Sequence, residues 1–236
     1  MGDGRSRVTP RALLRQQSWL SPAFPTGSYS YSHGLEWAVE AGDVRDRRSL
    51  VDWLEADLRH GSGRNDAIFF TEARRCTRQA ALATLWDVAE LAAAFRGTSE
   101  LALESAQQAT ACLATLRKVW PDAVLDWLSD RLSGRGVAPA LSVVLGVRSA
   151  RQEIPLDLAL PAFLQAQVAN FVTAAVRLIP LGQTDGQLAI AELEEAVLAV
   201  SDQAEVRTIH DLGSAAFRVD LASMAHETQY TRLFRS

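Results

Sequence analysis

Leu141-Ser-Val-Val-Leu-Gly-Val147 decides the fold class, because L-S-V-V-L-G-V is the one run in the chain that reads as a strand. Its neighbours are rich in alanine and serine, and no alternating partner run is visible. The run therefore reads as buried helix and the chain as all-α. The expectation is a single compact multi-helix domain of about nine to eleven helices with a C-terminal tail.

Outward from that run the periodicity is helical. Upstream, Asp46 stands ready to cap a segment in which Leu50, Trp53, Leu54 and Leu58 recur on one face. Leu82, Leu85, Trp86, Ala89 and Ala93 repeat the pattern. Thr98 or Ser99 starts a further helix with Leu103, Ala106, Thr110 and Leu113 on its stripe, and Pro121 opens another with Asp122 in the first turn. Downstream, Leu193, Ala196, Val197 and Val200 form a last stripe. Loops are expected at Gly61–Gly63, Ser133–Gly136 and Pro180–Gly186, none long enough for an interdomain linker. The reading divides the chain into a flexible start (1–9), a helical domain (10–206) and a C-terminal segment (207–236).

Bulk composition excludes several classes. With 236 residues, 48% hydrophobic, the chain has ample material for a buried interior. A formal charge of −4, with no concentrated basic face, argues against nucleic acid. The longest apolar stretch, Ala166–Val176, is interrupted by Gln167 and Asn170 and falls short of the roughly 20 residues of a membrane span. Arg11 and Arg15 interrupt the only N-terminal apolar patch, so no secretory signal is expected, and M-G-D-G-R-S reads as a chance match to an acylation pattern. Cys76 and Cys112 are too few for a disulfide framework and read as small apolar helix residues in a reducing cytoplasm.

Common chemistries are also missing. The lone Lys118 has no Walker A context, and Gly182–Gly186 follows no strand, so neither nucleotide motif is present. Gly27-Ser-Tyr-Ser30 lacks the second glycine of a nucleophile elbow. His33, His60, His210 and His226 are scattered without metal-ligand spacing. A metal site completed by one histidine from each of two subunits stays open. Glu36 and Glu40, four apart on one helix face, read as a solvated pair. Trp37 beside them fits either an adhesive surface or the core.

Three separated blocks carry the positive signal. Ser21–Glu36, S-P-A-F-P-T-G-S-Y-S-Y-S-H-G-L-E, is a stiff proline–glycine turn entering a helix, placed to present Tyr29, Tyr31, His33 and Glu36. It runs on into G-L-E-W-A-V-E-A-G at Gly34–Gly42. R-L-I-P-L-G-Q occupies Arg177–Gln183, and H-E-T-Q-Y-T-R-L-F-R-S occupies His226–Ser236. The last block mixes Tyr230, Leu233 and Phe234 with Arg232 and Arg235, the composition of an interface anchor or of a segment docked on its own domain.

In order and spacing these blocks resemble the urease accessory protein F family from Arg11 to Ser236. The chain departs from the family pattern at Gln107-Gln108-Ala109-Thr110, where a charged stretch ending in Gly-Arg is usual, and at Thr231, where serine is commoner. The resemblance implies an all-helical, homodimeric, non-enzymatic cytoplasmic protein. Such a protein joins a second accessory protein (D or H) to the accessory GTPase (G) and to urease apoprotein, while nickel and GTP stay with the partners. It further implies that Tyr29 and Arg232 support GTPase recruitment, and that Glu36 bears on GTPase control, so that a regulator of the GTPase is the alternative reading. The expected partner-binding set is Tyr29, His33, Glu36, Gln183, Glu227, Tyr230, Arg232, Leu233, Phe234 and Arg235, with no catalytic or metal residue, no nucleic acid and no membrane.

Overall fold

Capping residues legible in the sequence open several helices of the computed structural model, which describes residues 8–236. Most of the expected flexible start and the acylation pattern therefore lie outside the described residues. Thr9 accepts from the Ala12 amide at 3.2 Å and starts α1 (Pro10–Leu20). After a 3₁₀ turn (Ser28–Ser30) and the short α2 (Leu35–Glu40), Asp46 caps α3 (Arg47–His60) through the Ser49 amide. α4 (Ser62–Arg78), α5 (Leu82–Ala94) and α6 (Ser99–Val119) follow, the last capped by Thr98. Asp122 caps α7 (Ala123–Arg135) from the position before the helix, one step earlier than expected. Then come α8 (Leu141–Arg151), α9 (Leu156–Leu178), α10 (Gln183–Glu192), α11 (Glu194–Val206), a 3₁₀ turn (Ile209–Asp211) and α12 (Phe217–His226). The described residues thus hold twelve α-helices and no strand, or eleven helices if α10 and α11, parted only by Leu193, are counted together.

The strand-like run forms the first two turns of α8, and every residue from Ser142 to Ala150 is buried. Burial on all sides explains the β-branched composition, since a helix with no solvated face needs no polar stripe. Gly146 has a geometric reason: a Cβ there would lie 2.5 Å from the Phe70 carbonyl oxygen of α4. The missing carbon lets α8 lie directly against the main chain of α4.

α9 is the second organising element. It is long and apolar enough to cross a membrane by length and composition, but α1, α2, α3, α4, α10 and α11 pack around it. It serves here as the central helix of a bundle.

Two expectations need correction. On α6 the buried face carries Leu101, Glu104, Gln108, Cys112 and Leu116, whereas Leu103 and Thr110 are exposed. The stripe is rotated because Glu104 finds partners elsewhere in the chain. The loops are also shorter than expected: Gly61 alone parts α3 from α4, α7 runs to Arg135, and α10 already begins at Gln183.

Candidate functional site

The proline–glycine turn is built by short main-chain bonds. Gly27 adopts the left-handed conformation (φ 73°), and the Ser30 and Tyr31 amides donate back to Gly27 and Ser28. From α9, Asn170 Nδ2 and Arg177 Nη1 donate to the carbonyls of Ser28 and Tyr29 at 3.3 and 2.9 Å. Held this way, Tyr29 is 71% exposed while Tyr31 is buried, its hydroxyl donating to Gln107. Gln107 thus supplies a polar contact from the stretch that departs from the family pattern.

The last residues of the chain lie against this turn. The Arg235 amide donates to the Ser30 carbonyl at 2.8 Å, and the Ser32 amide to the Ser236 carbonyl at 2.7 Å. The Leu233 and Phe234 amides donate to the two oxygens of Glu36 at 2.6 and 2.9 Å. Phe234 is buried, with the Arg177 guanidinium 4.5 Å from its ring centroid. Arg177 therefore touches both the turn and the tail.

Glu36 is itself buried, which corrects the reading of a solvated Glu36–Glu40 face; only Glu40 is exposed. Its position depends on α12 crossing α2 closely. Gly34 sits at φ 76°, and a Cβ there would lie 2.8 Å from the Ser223 amide nitrogen. The crossing brings His226, wholly buried, between Glu36 Oε2 (3.1 Å from Nε2) and Glu100 Oε2 (2.7 Å from Nδ1). Arg232 Nη1 donates to Glu100 Oε1 at 2.7 Å, tying the tail to α6.

A second buried cluster adjoins the first through Glu104, which accepts from the Ser236 hydroxyl at 2.8 Å. His33 Nδ1 lies 3.4 Å from Glu104 Oε2, and its Nε2 pairs with Ser62 Oγ at 2.8 Å and faces Asp57 Oδ2 at 4.0 Å. Burial pulls the His33 pKa down, but the charges of Glu104 and Asp57 outweigh it and raise it to about 9. Nearby, Arg96 pairs with Asp66 at 2.8 Å.

Of the residues expected from sequence, Tyr29, His33, Glu36, Arg232, Leu233, Phe234 and Arg235 come together through these bonds. Glu227 joins at the edge, accepting from Ser99 Oγ at 2.5 Å. Tyr230 is fully exposed and Leu233 is 56% exposed. Gln183 is exposed at the first position of α10, and no hydrogen bond links it to the cluster among the described residues. Trp37 is half-buried against the core. Sequence reasoning missed Ser32, Asp57, Glu100, Glu104 and Arg177. The spacing Glu100, Glu104, Gln108 along one face of α6 was the available signal for two of them. Among the described residues no group of three or more His, Cys, Asp or Glu is arranged to hold a metal.

Comparison with known proteins adds a consistent result. The UreF family model matches residues 44–194. A protein named urease accessory protein UreF from Rhodopseudomonas palustris strain BisB5 is 51% identical over 225 residues, covering 95% of this chain and 91% of the relative. One of the same name from Bradyrhizobium diazoefficiens is 49% identical, with 95% and 92% coverage. Another, from Rhodopseudomonas palustris strain BisA53, is 46% identical over 231 residues, covering 98% and 96%.

Proposed function

This chain belongs to the UreF family of urease accessory proteins, and from that premise we propose that it is a non-enzymatic scaffold for nickel insertion into urease. In this reading it works in the cytoplasm as a homodimer and joins the D/H accessory protein to the accessory GTPase, delivering the assembly to urease apoprotein. Nickel and GTP are bound by the partners.

The observation that carries the reading is the latch between the turn and the tail. Glu36 and Ser30 hold the tail by its main chain, and Arg232, Phe234 and Ser236 dock by their side chains, while Tyr230 and Leu233 are left exposed for other contacts. Tyr29, Tyr230, Arg232 and Leu233 are exposed on the two segments that the latch joins. Burying two tyrosines and a leucine there would give a partner its aromatic anchors.

The alternative, a regulator of the GTPase, takes a specific form here. Both oxygens of Glu36 are occupied by tail amides and His226, so Glu36 acts on a partner through tail position rather than by direct contact.

Light scattering on a sizing column, for the chain alone and with the D/H protein and the GTPase, tests the proposal. A dimer that grows into a complex containing both partners is the expected result. A chain that ignores both partners would overturn it.

A further inference from the structure

A pocket of about 290 Å³ opens between the start of α4, the link from α5 to α6 and the start of α12. Ala94, Phe95 and Leu101 give it apolar walls, while Ser62, Ser214 and Asp220 bring oxygen atoms to it. Asp220 faces the link at its glycine: a Cβ on Gly97 would lie 3.1 Å from Asp220 Oδ1. Asp220 is half-buried and Ser214 exposed, so neither is sealed from solvent.

Asp220 differs from other aspartates at helix starts. Asp46, Asp122, Asp185 and Asp211 each accept a main-chain N–H of the turn where they stand. Asp220, in the first turn of α12, accepts only from Ser214 Oγ at 3.4 Å, and among the described residues no cation lies within ion-pair distance of it. Arg218, two positions before it, is paired with Asp43 instead. Arg96 lines the pocket but holds both oxygens of Asp66 with its two Nη atoms. Arg64 donates to the carbonyls of Asp211 and Gly213, and His33 lies between Asp57 and Glu104. Each positive charge here has its acceptors, whereas Asp220 has no cation. Burial raises its carboxyl above the ordinary value against the pull of the Ser214 bond, and the charge of Asp57 adds to the rise. A carboxylate that loses water without gaining a positive partner is a cost that a bound cation would offset.

We propose that this pocket binds an alkylguanidinium, its planar head on Asp220 and Ser214 and its alkyl stem against Ala94, Phe95 and Leu101. A guanidinium fits better than an ammonium, because it is more weakly hydrated and loses less on entering a partly dry pocket. Its fork donates to a carboxylate oxygen and a hydroxyl at once. An anion would be repelled by Asp220, and a wholly apolar ligand would leave that carboxylate unmatched. The head group belongs either to a free small guanidine or to an arginine side chain of another protein. The site does not rest on the scaffold reading.

Titration of the full chain at constant ionic strength, followed by amide NMR shifts, tests the proposal with two probes, butylguanidinium chloride and acetyl-arginine amide. Saturable shifts at Gly97, Leu101 and Asp220 are expected, with a Kd on the order of 1 mM for so small a ligand. Asp220→Asn keeps the shape of the side chain and should weaken binding of either probe about tenfold or more. Ala94→Leu leaves the charge in place, adds bulk at an exposed edge of the pocket and should weaken binding as well. Neither position is buried, so the fold should stand in both variants. Acetyl-arginine amide binding at least as tightly as butylguanidinium identifies an arginine side chain as the occupant, and weaker binding identifies a free guanidine. Three results would each overturn the proposal: no saturable shift with either probe, undiminished binding in Asp220→Asn, or butylammonium binding as tightly as butylguanidinium.

Discussion

Glu36 Oε2 accepts the main-chain N–H of Phe234 at 2.9 Å across 198 positions of sequence, and Glu36 Oε1 accepts from Leu233 beside it. A buried carboxylate holding two amides makes charge-assisted bonds, each worth about 1.5–3 kcal/mol. Replacing Glu36 by Ala should therefore release the tail while the helices remain. Glu36→Gln should free one amide, since an NH₂ group then faces a donor. Hydrogen exchange at Leu233 and Phe234 reads both effects. Unchanged protection in Glu36→Ala would show that Ser30 and Ser32 hold the tail by themselves.

Stability should fall with rising pH because of His33. Its pKa is raised on folding from 6.5 to about 9, so its contribution is complete below 6.5 and is lost as pH climbs through 9. The size is on the order of 3 kcal/mol. Urea melts at several pH values should show the loss across that window, and His33→Gln should flatten it. A parent chain equally stable at pH 6 and pH 9.5 would contradict the Glu104–His33–Asp57 arrangement.

Gly146→Ala tests the tight contact at the heart of the bundle. The added methyl would sit 2.5 Å from the Phe70 carbonyl, and main chain cannot yield as a side chain tip can. The helix propensity of alanine would favour the change by roughly 1 kcal/mol. Overpacking should outweigh it, giving a net loss of about 2 kcal/mol or more. A stabilised variant would mean that α8 can slide on α4.

Much of the fold was legible because it rests on local rules. Asp46 and Thr98 cap where their side chains suggested, and L-S-V-V-L-G-V is helix because nothing else in the chain could pair with it. The candidate site was half legible. The turn, Glu36 and the tail stand out as motifs, and their residues do meet. Glu100, Glu104 and Asp57 did not stand out, since a carboxylate on a helix looks solvated until its partner is known. Those partners are remote: His226 lies 126 positions from Glu100, and Ser236 lies 132 from Glu104. The stripe assigned to α6 was rotated for the same reason. Hydrophobic periodicity has no way to foresee a polar face that is buried against a distant segment.

The two cysteines should be silent in the native state. Both are buried, and burial pushes the Cys112 thiol up to about 12 and Cys76 up as well, so neither forms the reactive thiolate near neutral pH. Iodoacetamide should label neither until denaturant is added. Labelling of Cys76 without denaturant would reveal opening of α4 against its neighbours.

Phe234 and Tyr230, four residues apart, should separate docking of the tail from the partner binding proposed for it. Phe234 is buried and capped by Arg177, which ties it to the Tyr29 turn; Tyr230 is fully exposed. Phe234→Ala should cost about 3 kcal/mol of tail docking, the lower end for a buried phenylalanine. It should also raise hydrogen exchange in the tail. Tyr230→Ala should change neither stability nor exchange, since it removes no internal contact. If the latch exists to present the tail, both variants should reduce co-elution with the D/H protein and the GTPase, one by misplacing the surface and the other by removing part of it. Tyr29→Ala should behave like Tyr230→Ala. Should Phe234→Ala free the tail yet leave co-elution intact, the partners would be recognising the tail in another conformation, and the docked arrangement would be a resting state.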